Sequence, residues 1–203
     1  MMGQSVPSPL GHALGGVAVA WAGDGDPSTG PQPRASTALT LACAALAVSP
    51  DLDLLFRGFH RTAMHSVTAA LLVTIIAAGV TGWVNGRIDR RAALLCGLAY
   101  ASHLLLDWLG ADPTPPHGLQ LLWPFSHAWF IAPWTIFPGT ERRTILSAAA
   151  MLTNLKAAAV ELALLGPLVT WLGARRTRTT RRAAASRASR PEPRAPEAET
   201  PQA

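Results

Sequence analysis

The chain has 203 residues, of which 49% are hydrophobic and 14% charged, with a net charge of +5. An ordinary soluble domain carries roughly a quarter charged residues, so the composition points to a membrane protein, and the length suits one domain with a tail. The positive charge does not mark a nucleic-acid binder: from Arg175 onward eight Arg and three Glu account for all of it, leaving nine basic and nine acidic groups in residues 1–174.

The first apolar segment, Leu10 to Gly23, is preceded by no basic stretch of the kind that opens a signal peptide, so insertion is expected to use uncleaved helices. The stretch "DGDPSTGPQPRAS" after it has the Gly, Pro, Asp and Ser content of a loop. A second segment runs from Thr37 to Ser49 and is expected to stop at Pro50, which disfavours helical geometry in the residue before it. The third, "SVTAALLVTIIAAGVTGWV" from Ser66 to Val84, has 19 residues without a charge, the length a bilayer core demands. A soluble helical bundle, the alternative architecture, would leave that run unexplained. Cys43 and Cys96 lie inside apolar stretches with no CxxC spacing and are expected to be small buried hydrophobes.

After the turn "NGRIDRR" a fourth segment covers Ala92 to Gly110. Residues 111–143 hold six prolines and three of the seven tryptophans, a composition that predicts an interfacial loop over the bundle end. A last segment runs from about Thr144 to Gly173, with Lys156 and Glu161 expected to pair or to snorkel. The tail from Arg175 lacks aromatic and large aliphatic residues and is expected to be disordered, serving first as a topology determinant. The predicted fold is therefore all-α: a membrane-embedded antiparallel bundle of about five helices (residues 1–174), a Pro/Trp-rich interfacial loop, and a disordered basic tail (residues 175–203).

Successive antiparallel helices bring particular residues to one end. His12 opens the first helix, Asp51 and Asp53 close the second, His60 and His65 open the third, and His103 and Asp107 close the fourth. The other end receives Arg34, Arg87, Arg90 and Arg91. His103 and Asp107 are four residues apart and share a helix face, so they can bind one ion. Imidazole and carboxylate without thiolate suit zinc above all, with manganese or iron as alternatives.

Taken singly, each residue has a plainer role, an Asp after Pro as a helix cap or a helix-end His as an interfacial side chain. Seven ionisable groups at one end of a membrane bundle favour a metal site instead. Arg57 and Arg61 flank it and are expected to hold an anionic group such as a phosphate. Asp112, His117, His127 and Glu141 in the loop are expected to be mostly solvated.

The elements "PSPLGHALGG", "SPDLD", "HRTAMHS", "ASHLLLD" and "GLQLLWPFS", spread over residues 7–126, resemble the YdjM-type family of inner-membrane metal-dependent hydrolases, some described as LexA-binding. That family in turn looks like a membrane relative of zinc-dependent phospholipase C. The resemblance implies that His12, Asp51 or Asp53, His65, His103 and Asp107 are metal ligands and that an early aspartate acts as general base. Thr62 and Ala63 stand where such sequences usually carry a glycine, and neither His117 nor His127 is followed by Glu at the spacing that completes a multi-zinc cluster, so one or two ions are expected.

The expected activity is hydrolysis of a phosphoester or another ester, with a membrane lipid as the favoured substrate and Asp51, Asp53 or His60 handling the proton. The location expected is the inner membrane, multi-pass, with the tail cytoplasmic. The alternative is a non-enzymatic membrane adaptor that recruits a cytoplasmic partner through its basic tail. A metal transporter would need polar residues deeper in the helices than the third segment offers. No nucleic-acid partner is expected.

Overall fold

The computed structural model describes residues 7–24, 35–55, 60–113, 115–142, 144 and 146–188, with side chains through residue 179. Five α-helices form: α1 (Pro9–Ala22), α2 (Thr37–Val48), α3 (Val67–Asn85), α4 (Arg90–Trp108) and α5 (Ala148–Ala188). No strand is present among the described residues.

The first four helices start where a short polar side chain can accept from an otherwise unpaired backbone N–H. Ser8, Ser36, Ser66 and Asp89 do so, on the N–H groups of Gly11, Leu39, Ala69 and Ala92. Pro50 does not end the chain's winding at once. α2 passes into a 3₁₀ turn over Ser49–Leu55, and together they make one apolar stretch, Thr37–Leu55, of 19 residues. With Val67–Asn85 and Ala148–Thr179 this gives three helical segments long and apolar enough to cross a membrane.

α4 is the central helix, packed against α1, α2 and α3, while α5 lies on α1. α3 is the reverse of a soluble helix: Ala70 is its one buried residue, and Leu71, Leu72, Ile75, Ile76, Val80, Trp83 and Val84 all face outward. An exposed apolar face of that extent has lipid as its natural solvent. Between helices in lipid, close approach replaces hydrophobic exclusion as the source of attraction. At the α1–α2 crossing a Cβ added to Gly16 would sit 2.4 Å from the Cys43 carbonyl oxygen, and at the α3–α4 crossing one on Gly97 would sit 1.8 Å from Thr74 Oγ1. Cys43 and Cys96 are both free and buried, as their apolar surroundings predict.

The last helix departs from expectation. It continues to Ala188 rather than stopping near Gly173, because Ala and Arg are strong helix formers even without a core to join. Arg176, in the stretch expected to be disordered, is docked: its Nε lies 3.1 Å from Asp24 Oδ2, its Nη2 donates to the Ala35 carbonyl at 2.8 Å, and it covers the Trp21 ring. Residues 189–203 lie outside the described residues, as do Arg34 and Arg57.

Glu161 also differs. It is fully buried and does not snorkel. Its carboxylate accepts from the Ser8 backbone N–H at 2.6 Å and from the Ser8 hydroxyl, so it completes the cap of α1 and joins α5 to it.

Replacing Gly16 by Ala is expected to lower stability by roughly 1–3 kcal/mol despite alanine's better helix propensity, because a Cβ there forces α1 and α2 apart. Thermal unfolding in detergent measures it.

Candidate metal centre

The loop between α4 and α5 folds back over the end of the bundle where α2 stops and α3 begins. The Val67 N–H donates to Leu121 O at 2.9 Å, Thr68 Oγ1 to Trp123 O at 2.7 Å, and the Gln120 N–H to Arg61 O at 3.0 Å. Beneath this cover the two early aspartates, Asp107 and four histidines meet, brought there by four separate segments.

Four ligand atoms face a single point. His65 Nε2 and His103 Nε2 lie 3.1 Å apart, and Asp107 Oδ2 is 3.2 Å from His103 Nε2 and 3.4 Å from His65 Nε2. Asp51 Oδ1 closes the group at 3.9 and 4.0 Å from the same two nitrogens. Metal bonds of 2.0–2.1 Å to four tetrahedral ligands put those ligands about 3.3–3.4 Å apart, so three of the four match a zinc-sized ion and Asp51 stands slightly back.

The backs of the rings decide which nitrogens can bind. His103 Nδ1 lies 2.8 Å from the Ala47 carbonyl, which can only accept, so Nδ1 carries the proton and Nε2 presents a lone pair. His65 Nδ1 lies 2.9 Å from Asp53 Oδ2 and is fixed in the same sense. Two imidazole lone pairs and two carboxylate oxygens therefore point at one another. Asp107 Oδ1 and Oδ2 and Asp51 Oδ1 are buried without a hydrogen-bond partner. Such a group of acceptors needs a cation, and a divalent ion balances the two carboxylates. The donor set fits a hard or borderline metal such as zinc.

In the absence of metal a proton takes that part. Burial disfavours the charged form of His65, but the carboxylates of Asp107 and Asp53, which accept from the protonated ring, outweigh it and push its pKa up to about 9.

Asp53 takes no place among the four. Its Oδ2 faces His65 Nδ1 and accepts the Arg61 backbone N–H at 3.1 Å, while its Oδ1 lies 2.7 Å from His60 Nδ1. Asp53 therefore orients His65 from behind, a carboxylate–histidine arrangement common at metal sites, and His60 in turn holds Asp53. Of the two aspartates offered by "SPDLD", the 3₁₀ turn aims Asp51 at the cluster and Asp53 at its support. His12 is also brought to the centre, but on the other side of Asp107. Its Nε2 lies 3.2 Å from Asp107 Oδ1, and its ring stacks on His103 at 3.8 Å, so it stands outside the four-ligand group.

Arg61 corrects the sequence expectation. Its guanidinium is 6% exposed and paired with Asp112 Oδ2, so it ties the loop to the site wall and does not reach out to a substrate. Asp112, expected to be solvated, is the buried partner, and it also accepts the Gly118 N–H at 2.6 Å. Arg57 lies outside the described residues. Arg142 was missed as a site residue: its Nη2 donates to Asp51 Oδ2 at 3.0 Å. Its only trace in the sequence is a basic pair at the end of the Pro/Trp loop.

These features define a helical membrane protein with a buried His/Asp cluster at one end of its bundle. It belongs to the YdjM inner membrane protein family, whose sequence pattern matches residues 8–181. No curated protein and no solved structure matches the chain.

Zinc affinity is expected to rise about tenfold per pH unit up to about pH 9 and to level off above it, since binding must displace the proton on His65. Chelator competition titrations across pH 6.5–10 read that slope, about one proton per ion.

Proposed function

We propose that this protein is a membrane-bound metal-dependent hydrolase acting on a phosphoester or another ester, with a membrane lipid as the favoured substrate class. The observation that carries the reading is the meeting of ligand atoms from Asp51, His65, His103 and Asp107 within 4.8 Å of one another, three of the four residues being buried. His65, His103 and Asp107, the three ligands at tetrahedral spacing, would hold the ion, with Asp51 set back beside it. When bound, a divalent metal of this kind supplies an acidified water and a Lewis-acid contact for an ester oxygen.

The chain's own residues then have separable tasks. His103 and Asp107, on one face of α4, set the fixed side of the site, and Asp53 keeps the His65 ring turned toward it. Asp51 Oδ1, the atom set furthest back, is the carboxylate placed to accept a proton from water. His60, one step further out on Asp53, extends the polar chain away from the centre. The folded-back loop limits the entry of bulk water. Its exposed Phe125 and Trp134 have the amphipathic or apolar character of side chains that rest at a lipid headgroup layer.

The site end and the arginine-rich end are opposite ends of the bundle. Arg87, Arg90 and Arg91 lie with the end of α5, where Arg91 and Arg176 both pair with Asp24. By the positive-inside bias that end faces the cytoplasm and the metal centre the exoplasm, in the inner membrane. Reporter domains fused after Gly86 and after Ala188 are expected to give a cytoplasmic signal, and an external one at both points would reverse the orientation.

The direct test is elemental analysis of detergent-purified protein together with a screen of phosphoester and lipid substrates. Wild type is expected to hold stoichiometric zinc, manganese or iron and to hydrolyse at least one ester. The His103→Ala, Asp107→Ala double variant is expected to lose both. Metal-free wild type from metal-replete cells would sink the reading.

A further inference from the structure

Resting on the metal-centre reading, we propose that Arg142 is the anion-contacting residue of this site and that it selects a phosphoester oxyanion over a neutral ester. One carboxylate joins the two features: Asp51 turns Oδ1 toward the imidazole nitrogens of His65 and His103 and gives Oδ2 to Arg142 Nη2 at 3.0 Å. A guanidinium therefore stands one carboxylate away from the cluster.

Two Arg–Asp pairs at this end differ in exposure. The Arg61–Asp112 pair is sealed, its side chains 6% and 3% exposed. The Arg142 side chain keeps 22% of its surface and Asp51 keeps 9%. Arg142 spends a single nitrogen on its partners, since Nη2 also donates to Pro7 O at 3.2 Å. Among the described residues the rest of the fork makes no hydrogen bond, which leaves N–H donors for the paired oxygens of a phosphate.

Charge points the same way. The part-exposed guanidinium can pair with the oxyanion of a phosphodiester, from a lipid headgroup or from a soluble compound, whereas a neutral carboxylic ester offers it no charge. The position is also apt: Arg142 is carried on the chain that leaves the folded-back loop and enters α5, at the rim of the covered end. It takes the part that "FRGFHR" suggested for Arg57 and Arg61.

The test uses full-length zinc-loaded protein in detergent, with zinc content and ligand affinity measured side by side for wild type, Arg142→Gln and Arg142→Lys. Inorganic phosphate and a short-chain phosphatidylglycerol are the two probes. Both variants are expected to keep their zinc. Arg142→Gln is expected to bind phosphate at least tenfold more weakly, and Arg142→Lys to fall between it and wild type, because an ammonium keeps the charge but loses the fork. Weakening toward both probes identifies a headgroup site, and weakening toward phosphate alone a site for soluble phosphoesters.

Unchanged affinity for both probes in Arg142→Gln would overturn the proposal. Loss of zinc in both variants would overturn it too, by making Arg142 a support for Asp51. Wild type without zinc would instead overturn the metal centre itself, an outcome visible before any variant is compared.

Discussion

Mutual repulsion among four acceptor atoms is the constraint on which the rest of this molecule turns. His65 Nε2, His103 Nε2, Asp107 Oδ2 and Asp51 Oδ1 are held together in the protein interior, where water cannot screen them. Left alone they would push the helix ends apart. A proton on His65 partly relieves this, and a divalent ion bound there would do so more completely. The centre is the junction of three chain segments, the 3₁₀ turn after α2, the approach to α3 and the end of α4, which an ion bound there would hold together.

Much of the surrounding structure serves to hold those atoms against that repulsion. The ring of His103 is turned by a carbonyl at the end of α2, that of His65 by Asp53, and Asp53 by His60 and the Arg61 backbone. Arg61 is in turn tied through Asp112 to the loop that covers the site. On the far side, α1 carries His12 against Asp107, and α1 is itself capped by Glu161 from α5. Each helix of the bundle, with the exception of α3, thus contributes a polar group to the centre or to a residue that supports it. α3 contributes its N-terminal approach, His65, and otherwise offers an apolar surface to lipid.

The polarity of the bundle is divided along its length. Toward the centre of the helices the contacts are between small residues, with Gly16 and Gly97 admitting backbone and threonine at distances a side chain would forbid. At one end lie the carboxylates and imidazoles, at the other the arginines that converge on Asp24. α3 carries no charge along its span, and Glu161, buried in the span of α5, is held by two hydrogen bonds from Ser8.

The amino-acid sequence by itself determined the membrane class, the helices and the end at which the histidines and aspartates gather, because hydropathy and the up-and-down order of helices are local and additive properties. It also placed His103 and Asp107 on one face, since four residues make about one turn. It left Asp51 and Asp53 indistinguishable, because their directions depend on a 3₁₀ turn that continues α2 past Pro50. It assigned Arg61 to a substrate, although a loop residue 51 positions away claims its guanidinium, and it passed over Arg142, which meets Asp51 across 91 positions. Partners so far apart in the chain carry no local pattern. Only the tertiary structure, which sets how the loop closes over the helix ends, decided which charges face the centre and which are spent holding it in place.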